Sequence, residues 1–198
     1  MINKKNFSSY YFEKVNEVSN KLNKNVLDNL VEYIVRVKKN KGRIFFLGVG
    51  GSAGNCSHAV NDFRKLCNIE SYTPIDNVSE LTARINDEGW DNSFKDWLLA
   101  SNFNKKDILF ILSVGGGNKK KNVSTNLIKA IDLGISKKSK IVGIVGKDDG
   151  YLAKKGNCVV IIPYINKKLI TPLAEAFQAV IWHFLVSHPK LQVKNTKW

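Results

Sequence analysis

The sequence predicts an α/β fold, a five-stranded parallel sheet covered by helices on both faces and preceded by a long N-terminal helix. Three observations carry this. Five short runs of Ile, Val, Leu and Phe recur along the chain, continuous rather than alternating, as in strands buried on both faces. Segments of helical spacing separate them, the order of an α/β protein. Two of the runs end in glycine-rich loops, Gly48 to Gly51 and Gly115 to Gly117, of the kind that lines the carboxyl rim of such a sheet.

The elements follow in order. Tyr11, Val15, Val18, Leu22, Val26, Leu30, Ile34 and Val37 recur every three or four residues, which predicts one helix over the first forty residues. Leu27, Val31 and Val35 widen its apolar stripe until it needs partners on more than one side, within its own domain or on other subunits. Residues 43–47 read as a buried strand ending in Gly48-Val49-Gly50-Gly51-Ser52, and Ser52 opens a helix to about residue 66. A second strand is expected over 71–75, then Asp76-Asn77 and a helix to about residue 86, with another helix over 91–100. The third strand, 107–113, ends in Val114-Gly115-Gly116-Gly117-Asn118, followed by a helix over 124–133. Residues 140–145 and 158–163 are the fourth and fifth strands, with a short helix between them. The last helix spans 171–187, with Pro172 suited to its first turn. The whole reads as one domain, a helical element over 1–40 and an α/β core over 41–198.

Composition narrows the function. The chain has 198 residues, 43% hydrophobic and 24% charged, which is globular usage and enough to bury a core. Its longest apolar stretch is expected around 108–114, far short of the roughly 20 residues that span a bilayer, so no membrane partner is expected. Residues 1–7 lack the apolar centre of a signal peptide. Cys56, Cys67 and Cys158 are odd in number and form no CxxC pair, which points to free thiols in a reducing cytoplasm. A net charge of +14 raises nucleic acid as a partner. Only Arg36, Arg43, Arg64 and Arg84 are arginine, however, and the lysines are dispersed in pairs such as Lys38-Lys39, Lys105-Lys106 and Lys154-Lys155. Dispersed lysine is a solubilising charge rather than a base-reading surface, and it leaves a small anion as the expected partner.

The glycine loops suit such an anion. Glycines let the backbone approach a ligand, and exposed N–H groups at a helix start favour phosphate. Ser52 can cap its helix and donate its hydroxyl. The spelling is neither GxGxxG nor GxxxxGK[ST], which excludes the dinucleotide and triphosphate loops. The candidate phosphate- and sugar-binding residues are Gly50, Gly51, Ser52, Asp76, Asn77, Ser113, Gly115, Gly116, Asn118 and Ser124. His58 and Asp62, four apart, share a helix face and can ligate a metal, act as an acid–base pair or form a surface ion pair. The last helix carries Glu175, Gln178 and His183, with Trp182 and Phe184 flanking His183 and predicting its partial burial. Glu175 and His183 lie about 12 Å apart along a helix. One copy cannot place both on one ion, so either one alone takes part or neighbouring subunits each supply one.

Gly48-x-Gly50-Gly51-Ser52-Ala53, His58 with an acid four residues on, Asn86-Asp87-x-Gly89 and Thr171-Pro172 followed by His183 occur in the order seen in sugar-isomerase (SIS) domain proteins. Nearly the whole chain resembles their phosphoheptose isomerase branch. The resemblance implies a flavodoxin-like three-layer sandwich and a homotetramer with active sites between subunits. It also implies a zinc ion held by His58, Asp62, Glu175 and His183. The implied substrate is a phosphorylated seven-carbon sugar, sedoheptulose 7-phosphate, converted to a D-glycero-heptose 7-phosphate for surface polysaccharide. Asp62 would be the catalytic base and His183 its acid partner, which suits proton transfer through an enediol near neutral pH.

The chain departs from the family pattern at several points. Asp62 stands where Glu is usual, Val49 where Asn is usual, and Glu175-Ala176 where the pair is Gln-Glu. Ser113-Val-Gly-Gly-Gly-Asn118 replaces a Ser-Thr-Ser-Gly-Asn-Ser loop and loses hydroxyl donors, for which Lys119, Lys120, Lys121 or Ser124 are the available replacements. The alternative function is a non-catalytic SIS relative, a sugar-phosphate sensor or an adaptor to a replication initiator.

Overall fold

The computed structural model describes residues 6–195; residues 1–5 of the expected N-terminal helix, and 196–198, lie outside the described part. The elements run α1 (Phe7–Lys21), α2 (Lys24–Lys39), β1 (Ile44–Leu47), α3 (Gly51–Cys67), β2 (Ser71–Tyr72), α4 (Val78–Glu88), α5 (Ser93–Ala100), β3 (Ile108–Ser113), α6 (Thr125–Ser136), β4 (Lys140–Val145), α7 (Tyr151–Lys155), β5 (Cys158–Ile161) and α8 (Ile170–Ser187). Single 3₁₀ turns at Pro74–Asp76 and Lys167–Leu169 complete the path.

The expected helix over the first forty residues is two helices. Leu22 leaves helical geometry at φ −58°, ψ 133°, and Asn23 caps a new helix by accepting from the Val26 N–H at 3.3 Å. Asparagine is a poor helix interior residue and a strong N-cap. The apolar period continues through the break because Val18, Leu22, Leu27, Leu30 and Ile34 all enter one core.

The sheet is parallel throughout, in the order β2-β1-β3-β4-β5. Alternation along each strand divides the interior in two. Ile44, Phe46 and Phe110 face α2, α3 and α8, with the paired Phe46 and Phe110 rings stacked at 4.9 Å. Phe45, Leu47, Leu109 and Ile111 face α5, α6 and α7. The result is the expected three-layer sandwich. β2 is shorter than expected because Pro74 lacks the N–H to continue a ladder. Gly143 on β4 is required: a Cβ there would fall 2.3 Å from the Ile111 carbonyl oxygen.

The chain leaves β1 toward β2 on one side and returns to β3 on the other, so the loops after β1 and β3 diverge at the carboxyl rim. Both glycine turns lie at that switch point, where α/β sheets bind ligands.

One expectation is corrected. The longest apolar stretch is not the third strand but Lys167–Ser187, long and apolar enough to cross a bilayer by length and composition. Half of it is buried, with Leu173, Phe177, Ile181 and Trp182 packed in the core, as in a core helix of an α/β sandwich.

Candidate functional site

Helices α3 and α8 pack side by side, and their contact builds the site. The Asn55 amide donates to the Glu175 carbonyl at 3.0 Å and to Gln178 Oε1 at 3.1 Å, fixing the register of one helix on the other. At the far end the Cys67 thiol approaches the Val186 carbonyl at 3.8 Å. This register carries His183 over the face that holds His58 and Asp62. His58 Nε2 lies 3.7 Å, and His183 Nε2 4.0 Å, from Asp62 Oδ2. The ligating atoms of the three residues all lie within 4.8 Å of one another, an arrangement able to hold a metal ion.

The hydrogen bonds around the trio orient it. Asn61 donates to Asp62 Oδ1 at 2.8 Å, leaving Oδ2 turned toward the imidazoles. Asp62 is buried, so its carboxylate is held rather than free to swing. His183 Nδ1 lies 2.8 Å from the Ala179 carbonyl; a carbonyl only accepts, so Nδ1 carries the proton and Nε2 keeps its lone pair in the neutral ring. Trp182, fully buried, stacks on His183 with centroids 3.5 Å apart and meets His58 at 4.5 Å.

His183 itself is exposed, against the expectation of partial burial. Each residue turns a helix by about 100°. Trp182 therefore takes the core side while His183 stands at the edge of the α3 contact. Glu175 is not part of the trio. Two turns along α8, it brings its carboxylate to the first turn of α3, where a Cβ on Gly51 would fall 2.5 Å from Oε2. Within one chain, then, His183 meets the cluster and Glu175 does not.

The first glycine turn is tighter than the sequence implied. Gly50 (φ 65°) is the N-cap of α3 and the helix begins at Gly51, so Ser52 is not the cap but a buried residue one step inside. Gly48 has no room for a side chain, since its Cβ would lie 2.6 Å from the Ser52 carbonyl oxygen. Cys56, two turns along, is no nucleophile: burial pushes its thiol far up, with Asp76 adding to the effect.

Several candidate substrate residues already hold local structure. Ser113 Oγ accepts from the Gly116 N–H at 3.0 Å, and Asn118 Oδ1 from the Lys121 N–H at 3.0 Å, inside a hairpin that pairs Asn118 with Val123. Asp76 accepts from the Ser57 hydroxyl at 2.6 Å, and Asn77 caps α4 by accepting from the Glu80 N–H at 3.2 Å. Ser124 opens α6 at φ 53° without a side-chain cap bond. Around Gly50 and Gly115 the backbone is open, with no atom within 4 Å of where a Cβ would stand.

Sequence reasoning gave no role to Asn55, Gln178 or Trp182. Gln178 and Trp182 sit one turn apart on the buried face of α8, and Gln178 Nε2 and Trp182 Nε1 are both buried without a hydrogen-bond partner among the described residues. A glutamine inside the apolar stripe of the last helix was the available signal.

A family model described as "SIS domain" matches residues 10–146. Among curated proteins, the lincomycin biosynthesis protein LmbN of Streptomyces lincolnensis is 29% identical over 74% of this chain and 56% of its own length. A phosphoheptose isomerase of Glaesserella parasuis is 32% identical over 65% of each chain. This chain thus spans less than two thirds of the length of either relative. Among solved structures, phosphoheptose isomerase GmhA from Neisseria gonorrhoeae superposes with a TM-score of 0.80 at 19% identity, covering 93% of this chain and 98% of that one. A phosphoheptose isomerase from Francisella tularensis gives 0.78 at 20% identity over 93% and 96%. At these identities the likeness is one of fold.

Proposed function

The chain belongs to the SIS-domain family, and from that premise we propose that it is a sugar-phosphate aldose–ketose isomerase of the phosphoheptose type. The proposed reaction converts sedoheptulose 7-phosphate to D-glycero-D-manno-heptose 7-phosphate through an enediol, in heptose supply for surface polysaccharide. The observation that carries this reading is the trio of His58, Asp62 and His183 brought together by two helices.

In this reading Asp62 Oδ2 removes a proton from carbon 1 of the ketose and His183, as acid partner, delivers one to carbon 2 of the enediol, while the hydroxyl proton of carbon 1 passes to the oxygen of carbon 2, leaving the aldehyde at carbon 1. Each turnover leaves the carboxylate one proton richer and the imidazole one poorer. The 4.0 Å contact between them is too long for a direct hydrogen bond, and the surplus returns through water before the next cycle. The tether from Nδ1 to Ala179 leaves Nε2 as the nitrogen that takes up and gives back the transferred proton, Nδ1 keeping its own throughout. Two imidazoles and a carboxylate are alternatively a donor set that fits zinc, with His58, Asp62 and His183 as holders; an ion there would take the Nε2 lone pair, so His183 either holds it or carries the proton. Such an ion supplies polarisation of the substrate carbonyl. The phosphate, remote from the reacting carbons, supplies binding energy that fixes the sugar's register.

The reading includes a homotetramer with active sites between subunits, with the helical segment before β1 as its oligomerisation element. Its support is surface that one chain leaves unpartnered: Phe12 on α1 and Val78 on α4 are each 69% exposed, and α4 buries none of its residues. A cytoplasmic location is supported by three free, buried cysteines.

The test is incubation with sedoheptulose 7-phosphate in heavy water, with deuterium followed at the carbon next to the carbonyl. Exchange together with aldose formation is the expected result. Neither exchange nor conversion would sink the proposal and favour a sugar-phosphate sensor, a reading drawn from Ser113 and Asn118, whose side chains are engaged in their own turn.

A further inference from the structure

Helices α3 and α8 run parallel, and their contacts climb in step. Glu175 meets Gly51, Gln178 meets Asn55, Trp182 meets His58, His183 meets Asp62 and Val186 meets Cys67. The third and fourth of these rungs carry the trio of His58, Asp62 and His183. A slip of α8 by one residue moves its side chains by about 1.5 Å along the axis and about 100° around it, enough to undo the trio.

Most of the seam is indifferent to that register. Ala59, Val60, Phe63, Phe177, Ile181 and Leu185 belong to one apolar core. Apolar burial is non-directional and rewards covered area at any phase of the helices. The Asn55 amide differs, because it donates to two acceptors on α8 at once. These are the Glu175 carbonyl, at 3.0 Å, and Gln178 Oε1, at 3.1 Å. Hydrogen bonds tolerate only a few tenths of an ångström around such lengths, so both are met at one phase.

Gln178 is a poor choice for stability. It is fully buried, and its Nε2 has no hydrogen-bond partner among the described residues. A buried amide satisfied on one side destabilises a fold, where an apolar side chain of similar length would not. Polar groups kept inside an apolar helix seam in spite of this are best attested as setters of register.

We infer that Asn55 and Gln178 are positioning residues, which hold α8 at the one phase that sets His183 against Asp62. Gln178 does so while lowering the stability of the fold. The inference rests on the isomerase reading for what the trio does, and on the helix contacts alone for where the pair places it.

The test uses two variants of the full chain. Gln178→Met is similar in length to glutamine and lacks its amide, and Asn55→Ala/Gln178→Met removes both directed bonds. Each is compared with the wild-type protein by X-ray structure, thermal midpoint and turnover of sedoheptulose 7-phosphate. In the double variant the separation of His183 Nε2 and Asp62 Oδ2 should grow by about 1 Å or more. Its kcat should fall at least about tenfold with KM within about twofold, the signature of lost positioning rather than lost binding. Gln178→Met should move the trio in the same direction, with a thermal midpoint level with the wild type or higher, since the unpaired amide is gone. A merely structural pair would lower the midpoint of Gln178→Met and leave the trio's distances unchanged in the folded molecule, and that result overturns the inference. An unmoved trio overturns it at any midpoint. Should the double variant fail to fold, the separation in Gln178→Met decides. A displaced trio with full turnover sinks the proton roles of Asp62 and His183 and leaves the pair as the setter of register. A protein that isomerises nothing still reports the separation, so the two readings fail independently.

Discussion

His183 Nε2 faces Asp62 Oδ2 across 4.0 Å, and the bond from Nδ1 to the Ala179 carbonyl leaves no other ring nitrogen for that contact. The two residues come from helices that meet only through the packing of α8 on α3. The proposed proton transfer and the cluster able to hold a metal thus rest on one helix pair.

Replacing Asp62 by Asn keeps the shape and the Asn61 contact but removes the base. Turnover of sedoheptulose 7-phosphate should fall by about 10²–10⁴, the usual worth of a positioned general base. His183→Ala should do the same, while the thermal midpoint of each variant stays within a few degrees. Full activity in either variant would refute the assigned roles.

Metal content gives an independent reading. After dialysis against buffered zinc the protein should retain one ion per chain by elemental analysis, and His58→Ala should retain it at least about tenfold more weakly, since one of three protein ligands is gone. Equal retention by both proteins would move the ion, if bound at all, away from this trio.

Stability should respond oppositely at two glycines. Gly143→Ala drives a Cβ into the Ile111 carbonyl and the Leu152 side chain, at 2.3 and 2.7 Å, and should cost about 1–3 kcal/mol, lowering Tm by several degrees. Gly54, inside α3 with no atom within 4 Å of a Cβ, should gain about 0.5–1 kcal/mol on replacement by Ala. Denaturant titration of the two variants decides both.

Burial raises the Cys67 thiol from about 9 to about 11 and pushes Cys56 higher still. Above pH 9 the unfolded chain releases protons that the folded chain keeps, so stability falls as pH rises. The thiol contribution should be whole at pH 8 and diminish between about pH 9 and 11, seen as a lower denaturation midpoint at pH 10. At pH 8 a thiol reagent should label the native protein far more slowly than the unfolded one.

The sheet could be read from the chain because its strands are uninterrupted apolar runs: Ile108–Ser113 is buried at every position. His58 and Asp62 could be paired because helical spacing is local. What escaped the sequence depends on contacts distant along the chain or on a single capping residue. Asn23 breaks the first helix without breaking the apolar period, so periodicity alone runs past it. The exposure of His183 depends on which side of α8 meets α3, and that is set by Asn55 and Gln178. Glu175 could be placed near a metal by family resemblance, but only the docked helices show it against Gly51.

The straddling of two helices by His58, Asp62 and His183 has a consequence for partly unfolded chains. A molecule whose α8 has come away keeps an ordinary histidine–aspartate pair on α3 and nothing more. On the proposed chemistry, catalytic competence is then a quality-control mark: the reaction would run only in molecules that have completed their architecture, and any divalent ion lodged there would act as a latch on the finished state.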